Sequence, residues 1–108
     1  MAWTVVLMDA RVVAELAAQP EDIRAKFIRI SSTAIEGHGL ERVREPYVKP
    51  LQGPLWEMRL TGRDGIARAI YVTASGRRVV VVRVFTKKTQ KIPRRELEIA
   101  LARAKEVE

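Results

Sequence analysis

Three arginines and one lysine-rich run carry the chemistry that can be read in this chain. Arg59, Arg68 and Arg83 each lie within an apolar run of strand character, and Phe85-Thr86-Lys87-Lys88-Thr89-Gln90-Lys91-Ile92-Pro93 closes the last of these runs. Guanidinium forks match phosphate oxygens two at a time. Lysines, threonines and a glutamine at a strand's end add backbone phosphate contacts, and a phenylalanine ring beside them can stack on a base. The pattern therefore fits a polyanion, with Lys87, Lys88, Gln90 and Lys91 along its backbone and Phe85 under a base. The same residues also fit a solvated charge run with Phe85 packed in the core.

The distribution of charge points the same way. The 108 residues hold 20 Lys+Arg against 13 Asp+Glu, a formal charge of +7. Residues 1–58 carry 7 basic and 8 acidic side chains, whereas 59–95 carry 11 basic residues and one acid, Asp64. Such asymmetry implies a polyanion or an acidic protein bound by the C-terminal half, or a basic face that serves solubility. With no cysteine, disulfides, thiolate zinc sites and thiol catalysis are excluded, and a reducing cytoplasm is compatible. One histidine, His38, gives no basis for a His-built metal site, so neither metal nor cofactor is expected.

The elements that must position these residues follow from punctuation and periodicity. Residues 1–8 read as a first strand, too short for a signal segment or a membrane span. Asp9 suits an N-cap before Val12, Val13 and Leu16, with that helix ending near Gln19. Pro20, Glu21 and Asp22 open a second helix whose stripe is Ile23, Phe27, Ile30 and Ala34, closed by Gly37-His38-Gly39. The two helices should pack as an antiparallel hairpin. Residues 40–54, with three prolines, read as a connection. Strands are expected at 55–61, 66–73 and 79–86, joined by hairpin-length loops, and Pro93 opens a last helix with Leu97, Leu101 and Ala104 on one face. The order β-α-α-β-β-β-α, over one domain of residues 1–108, is an α+β fold with an N-terminal strand, a helical hairpin, a three-stranded antiparallel meander and a C-terminal helix.

Alternation assigns faces. Ala67, Ala69 and Tyr71 oppose Arg68 and Ile70, while Val80, Val82 and Val84 oppose Arg83 and Phe85. If Thr61 pairs with Ile66, Arg59 lies opposite Arg68; if Thr73 pairs with Arg78, Arg68 lies opposite Arg83. Three arginines would then form a row on the face away from the helix pair, a repulsive arrangement that an anion would relieve. Glu57 shares the face of Arg59 and reads as a salt-bridge partner, and His38 as a helix-end residue.

Leu55-Trp56-Glu57-Met58-Arg59, Ile70-Tyr71 and the run Val84-Phe85-Thr86-Lys87-Lys88-Thr89-Gln90-Lys91-Ile92-Pro93 resemble the phage-derived branch of RelE/HigB-type toxins. The resemblance implies a RelE-like fold and a ribosome-dependent mRNA endoribonuclease that inhibits translation. It implies as partners the ribosome with mRNA in its A site and a helix-turn-helix antitoxin, whose complex with the toxin binds operator DNA. It places active-site roles on Arg59, Arg68, Lys87 and Lys88, with Lys49 and Arg83 as further RNA contacts. The Tyr or His that several members of the wider superfamily carry near the chain end has no counterpart here. In the implied reaction, Arg59 and Arg68 would hold the phosphorane oxygens and Lys87 or Lys88 would act as general base. An alternative is a ParE-like inhibitor of DNA gyrase that cuts no RNA; another is a decayed toxin that only binds its antitoxin.

Overall fold

The computed structural model describes residues 2–43, 47–87 and 91–107, with the backbone alone for Lys87. The described residues form β1 (Thr4–Leu7), α1 (Ala10–Ala17), α2 (Glu21–Ile28), β2 (Val48–Pro50), β3 (Trp56–Thr61), β4 (Ile66–Ala74), β5 (Arg78–Lys87) and α3 (Arg94–Ala104). They make a mixed α+β structure with one five-stranded sheet, in the order β1-β5-β4-β3-β2. β1 runs parallel to β5 and every other neighbour is antiparallel.

The helices begin where their caps dictate. Asp9 sits in extended backbone and its carboxylate accepts the Arg11 backbone N–H, satisfying one of the donors that a helix start leaves open. Pro20 precedes α2, and Glu21 and Asp22 fill its first turn. The helical run then continues with π geometry over Arg29–Glu36. That wider turn resets the apolar stripe. Ile23, Phe27 and Ile30 are buried as the spacing predicts, but the next core residue is Ile35 rather than Ala34. A bond from residue i to i+5 carries the face five positions on from Ile30, a shift that 3.6-residue periodicity does not contain.

The sheet divides two cores. On one face α1, α2 and the π segment bring Val12, Ile23, Phe27 and Ile35 against Met58, Leu60, Tyr71, Val79 and Val81. On the other, α3 brings Ala100, with Leu97 and Leu101, against Leu55, Ile70, Val80, Val82 and Phe85. Residues 40–54 were expected to be a plain connection. They contain a 3₁₀ turn at Leu40–Arg42 and the edge strand β2, and only at an edge can Pro50, which lacks an N–H, occupy a strand.

β5 departs from the expected register at two places. Its hairpin with β4 pairs Ala74 with Arg78, not Thr73 with Arg78. Gly76 and Arg77 both take left-handed backbone (φ 77° and 55°), which tightens the loop to three residues. Tyr71 then pairs with Val81 but Ile70 with Arg83, so Val82 is an extra residue in a β-bulge. Val80, Val82 and Phe85 consequently share the α3 face and Val84 the other. The strict alternation expected of Val80, Val82 and Val84 does not hold, because a strand buried on both sides is apolar at nearly every position.

The bulge is held by ions. Glu15 Oε1 accepts the Val84 N–H at 3.1 Å, and Arg103 Nη1 donates to the Val82 carbonyl at 2.9 Å and to Glu15 at 3.0 Å. Backbone groups that an edge would leave open are thereby satisfied, and α1 and α3 are tied together across β5. Glu36 does the same for β1, accepting the Val5 N–H at 2.8 Å.

The β3–β4 loop is fixed to α2. A Cβ at Gly62 would stand 2.7 Å from Ile23 Cγ1, so only glycine fits there without displacement, and the Arg63 N–H donates to Asp22 Oδ2. That N–H holds the Asp22 carboxyl below its ordinary value. A depressed folded value means that the tether contributes above about pH 4 and is lost as pH falls through the lower folded value. Hydrogen exchange should show the Arg63 amide protected at neutral pH and released in acid before global unfolding. The helical phase has its own test. Ile35→Ala should cost about 2–5 kcal/mol in urea denaturation, whereas Ile28→Ala, at a side chain 62% exposed, should stay within about 0.5 kcal/mol.

Candidate functional site

β3 and β4 pair so that Arg59 lies directly opposite Arg68, as the Thr61–Ile66 hairpin predicts. Both lie on the α3 face: Arg68 pairs with Phe85 on its other side, and Glu57, two residues before Arg59, pairs with Ile70. β2 adds Lys49 directly opposite Glu57. Four charged residues thus meet on three adjacent strands, three of them basic.

The burial is uneven. Glu57 is 2% exposed and Arg68 3%, while Arg59 is half-buried. Glu57 Oε2 lies 2.7 Å from Arg68 Nε and Glu57 Oε1 lies 3.4 Å from Lys49 Nζ, whose side chain is half exposed. The Arg68 contact is short but misaligned, so it is an ion pair without a proper hydrogen bond, and Arg68 Nε and Nη1 stay unsatisfied. Arg59 has no ion pair or hydrogen bond from its guanidinium among the described residues, and its Nε is buried with no acceptor. Burial pulls the Arg68 guanidinium below its ordinary pKa; the positive charge of Arg59 adds to this and Glu57 opposes it. Such a cluster has unmet N–H donors and an excess of positive charge, which is what an anion supplies.

The other candidate residues separate into three groups. Arg83 does not join the arginine row. The tighter hairpin and the bulge together move it two positions, opposite Ile70, and its guanidinium is taken by Glu15 and Glu96 at 2.6 Å each. Those carboxylates, Glu96 first, hold the Arg83 pKa above its ordinary value. Phe85 is 6% exposed within the α3 core, so its ring is packed and cannot receive a base. Lys91 is exposed just before α3, Lys87 ends β5 opposite Ile66, and Lys88 and Gln90 lie outside the described residues. Glu57 does form the expected salt bridges, but with Arg68 on the diagonal and with Lys49, not with Arg59. Parity along β3 could place Glu57 on the right face; the diagonal partner needed the β3–β4 register, and Lys49 needed a strand too short to recognise.

An aromatic cleft lies elsewhere. Trp3, Val43, Val48, Pro50, Trp56 and Tyr71 line a cleft of about 430 Å³ on the α1–α2 side of the sheet. Its titratable members are Glu41, committed to Trp3 Nε1 at 2.9 Å, and Tyr71, whose hydroxyl burial pushes above its ordinary pKa. It offers aromatic surface and no cation cluster, so its size does not make it the site of phosphate chemistry. His38 is exposed at the end of the helical run. Among the described residues no His, Asp and Glu group could hold a metal ion, and no helix is long and apolar enough to cross a membrane.

The two arginines should behave oppositely when removed. Arg68→Ala strands a buried carboxylate with only Lys49 beside it, and should cost about 3 kcal/mol in urea denaturation. Arg59→Gln removes an unpaired charge that faces another, and should leave stability unchanged or raise it by some tenths of a kcal/mol.

No curated protein matches the chain. Residues 14–105 match the family described as Phage derived protein Gp49-like (DUF891), a family of toxin-like proteins associated with toxin–antitoxin systems. Because that match takes in most of the chain, including every strand from β2 to β5 and all of α2 and α3, the protein belongs to the Gp49-like phage-derived family.

Proposed function

We propose that this chain is the toxin of a toxin–antitoxin pair with RelE-type topology, and that it cuts mRNA on the ribosome. The observation that carries the reading is Arg59, a guanidinium unpaired among the described residues and set opposite a second, buried one in a member of a toxin-like family. A fold accepts that repulsion at little cost if a phosphate normally stands there. The antitoxin is a helix-turn-helix protein, the complex binds its own operator, and the free toxin works in the cytoplasm where ribosomes are.

In this mechanism the ribose 2′-oxygen attacks the adjacent phosphorus as it loses its proton, a phosphorane forms, and the bond to the 5′-oxygen breaks as that oxygen gains a proton. Arg59, which reaches the surface, meets the non-bridging oxygens. Arg68 acts from behind it as a buried positive charge, stronger there than in water. Lys49 lies on the same face, one row along. Lys87 and Lys88 are assigned to proton transfer and phosphate contact. Lys87 ends β5 two residues beyond Phe85, the partner of Arg68, so β5 ends on the arginine side of the sheet. Lys91 and Gln90 extend the contacts along the RNA, while Arg83 and Phe85 serve the fold.

Arg59 is the residue to change, because its guanidinium holds no other described residue in place. In a translation extract, mapping of mRNA 5′ ends should show new ends with the wild-type chain. Arg59→Ala should slow their appearance by about 10²–10³-fold while the protein stays folded. Intact mRNA with trapped gyrase–DNA cleavage products would overturn the reading and favour the ParE-like alternative.

A further inference from the structure

Glu57 has no part in the proposed mechanism, yet it is a carboxylate 2% exposed inside the cluster proposed to receive the phosphate. A buried negative charge there should weaken the binding of any anion, so its presence calls for a physical reason. Two features of the geometry supply one. Glu57 Oε2 lies 2.7 Å from Arg68 Nε as an ion pair, and its other oxygen lies 3.4 Å from Lys49 Nζ. One carboxylate thereby orients cations from two flanking strands toward the row that Arg59 occupies. It also sets the charge: Lys49, Arg59 and Arg68 against Glu57 give the described cluster a net charge of +2.

We propose that Glu57 is the positioning residue that matches this cluster to the transition state of RNA cleavage rather than to its substrate. The assignment rests on the endoribonuclease reading above. A phosphodiester carries one negative charge. When the 2′-oxygen has lost its proton to the general base and bonded to phosphorus, the phosphorane carries two. When the bond to the 5′-oxygen has broken and that oxygen has been protonated, the cyclic phosphate carries one again. A described cluster of +2 attracts the doubly charged phosphorane about twice as strongly as the singly charged substrate or product. Glu57, by removing one unit of positive charge, keeps those ground states from being held more tightly while it stands beside the Arg68 that acts on the phosphorane. Without Glu57 the cluster would be +3. Substrate and product would both be held more tightly, and Arg68 would lose the contact that fixes its guanidinium.

The experiment separates binding from chemistry. Ribosomes carrying an mRNA with a single 2′-deoxynucleotide at the cleavage position serve as the uncleavable probe, and the matching all-ribose mRNA measures single-turnover cleavage. Glu57→Gln keeps the side chain's shape and removes its charge. It should bind the probe more tightly than the wild type, yet cleave at least about 10-fold more slowly. Glu57→Asp keeps the charge and shortens the reach by one methylene. It should bind the probe as the wild type does and still cleave more slowly, which keeps the test alive if the glutamine variant does not fold. A carboxylate that only stabilises the fold predicts instead that binding and cleavage fall together. That result, or a folded Glu57→Gln variant with wild-type values of both, overturns the assignment. If the wild type itself cuts no mRNA, the endoribonuclease reading fails first and this inference fails with it.

Discussion

The antiparallel pairing of β3 with β4 is the constraint on which the rest depends. It is fixed at the hairpin, where Gly62 lets the loop close onto Ile23 and where Asp22 accepts the Arg63 N–H. With Thr61 opposite Ile66, the remaining pairs leave Arg59 no choice but to face Arg68. A slip of β4 by one residue would turn Arg68 into the α1–α2 core in place of Ala67 and Ala69, a burial of unpaired charge that the apolar core makes prohibitive. The core therefore enforces a polar arrangement that would not form for its own sake. Like charges opposite one another are unfavourable, and the structure tolerates them because the register that creates them also buries the better part of one core.

The ion pairs of the molecule serve two different ends. Around the β5 bulge, Glu15, Arg83, Glu96 and Arg103 form a mutually satisfied network at 2.6–3.3 Å that closes open backbone groups and joins α1 to α3. On β2, β3 and β4, one carboxylate is shared by two cations, and among the described residues a third cation has no partner and several buried donors lack acceptors. The first network is complete as it stands. The second is short of negative charge, and that contrast within a single sheet separates structure from candidate function more clearly than the total charge of +7 does.

Much of this was legible in the sequence. Caps, prolines and loop glycines located α1, α2, α3 and four of the five strands, and the Thr61–Ile66 pairing suggested by the hairpin placed Arg59 opposite Arg68. Three features were not legible, each for a physical reason. The π geometry of 29–36 moved the core from Ala34 to Ile35, and no 3.6-residue pattern encodes it. β2 is three residues long and holds a proline, so it carries no strand signal. The bulge at Val82 lies within a run of valines where one more apolar residue changes nothing in the pattern, and it was enough, with the tighter hairpin, to remove Arg83 from the row. Glu57 lay between: its face could be read, but its diagonal partner Arg68 required the register.

The central claim is that Arg59, backed by Arg68, receives a phosphate. A structure of this chain on a ribosome whose mRNA is 2′-deoxy at the cleavage position tests it most directly. The account predicts a non-bridging oxygen of that phosphate about 3 Å from the Arg59 guanidinium, with the Glu57–Arg68 contact intact behind it. A phosphate seated elsewhere, or an Arg59 turned to a partner within its own chain, would contradict it.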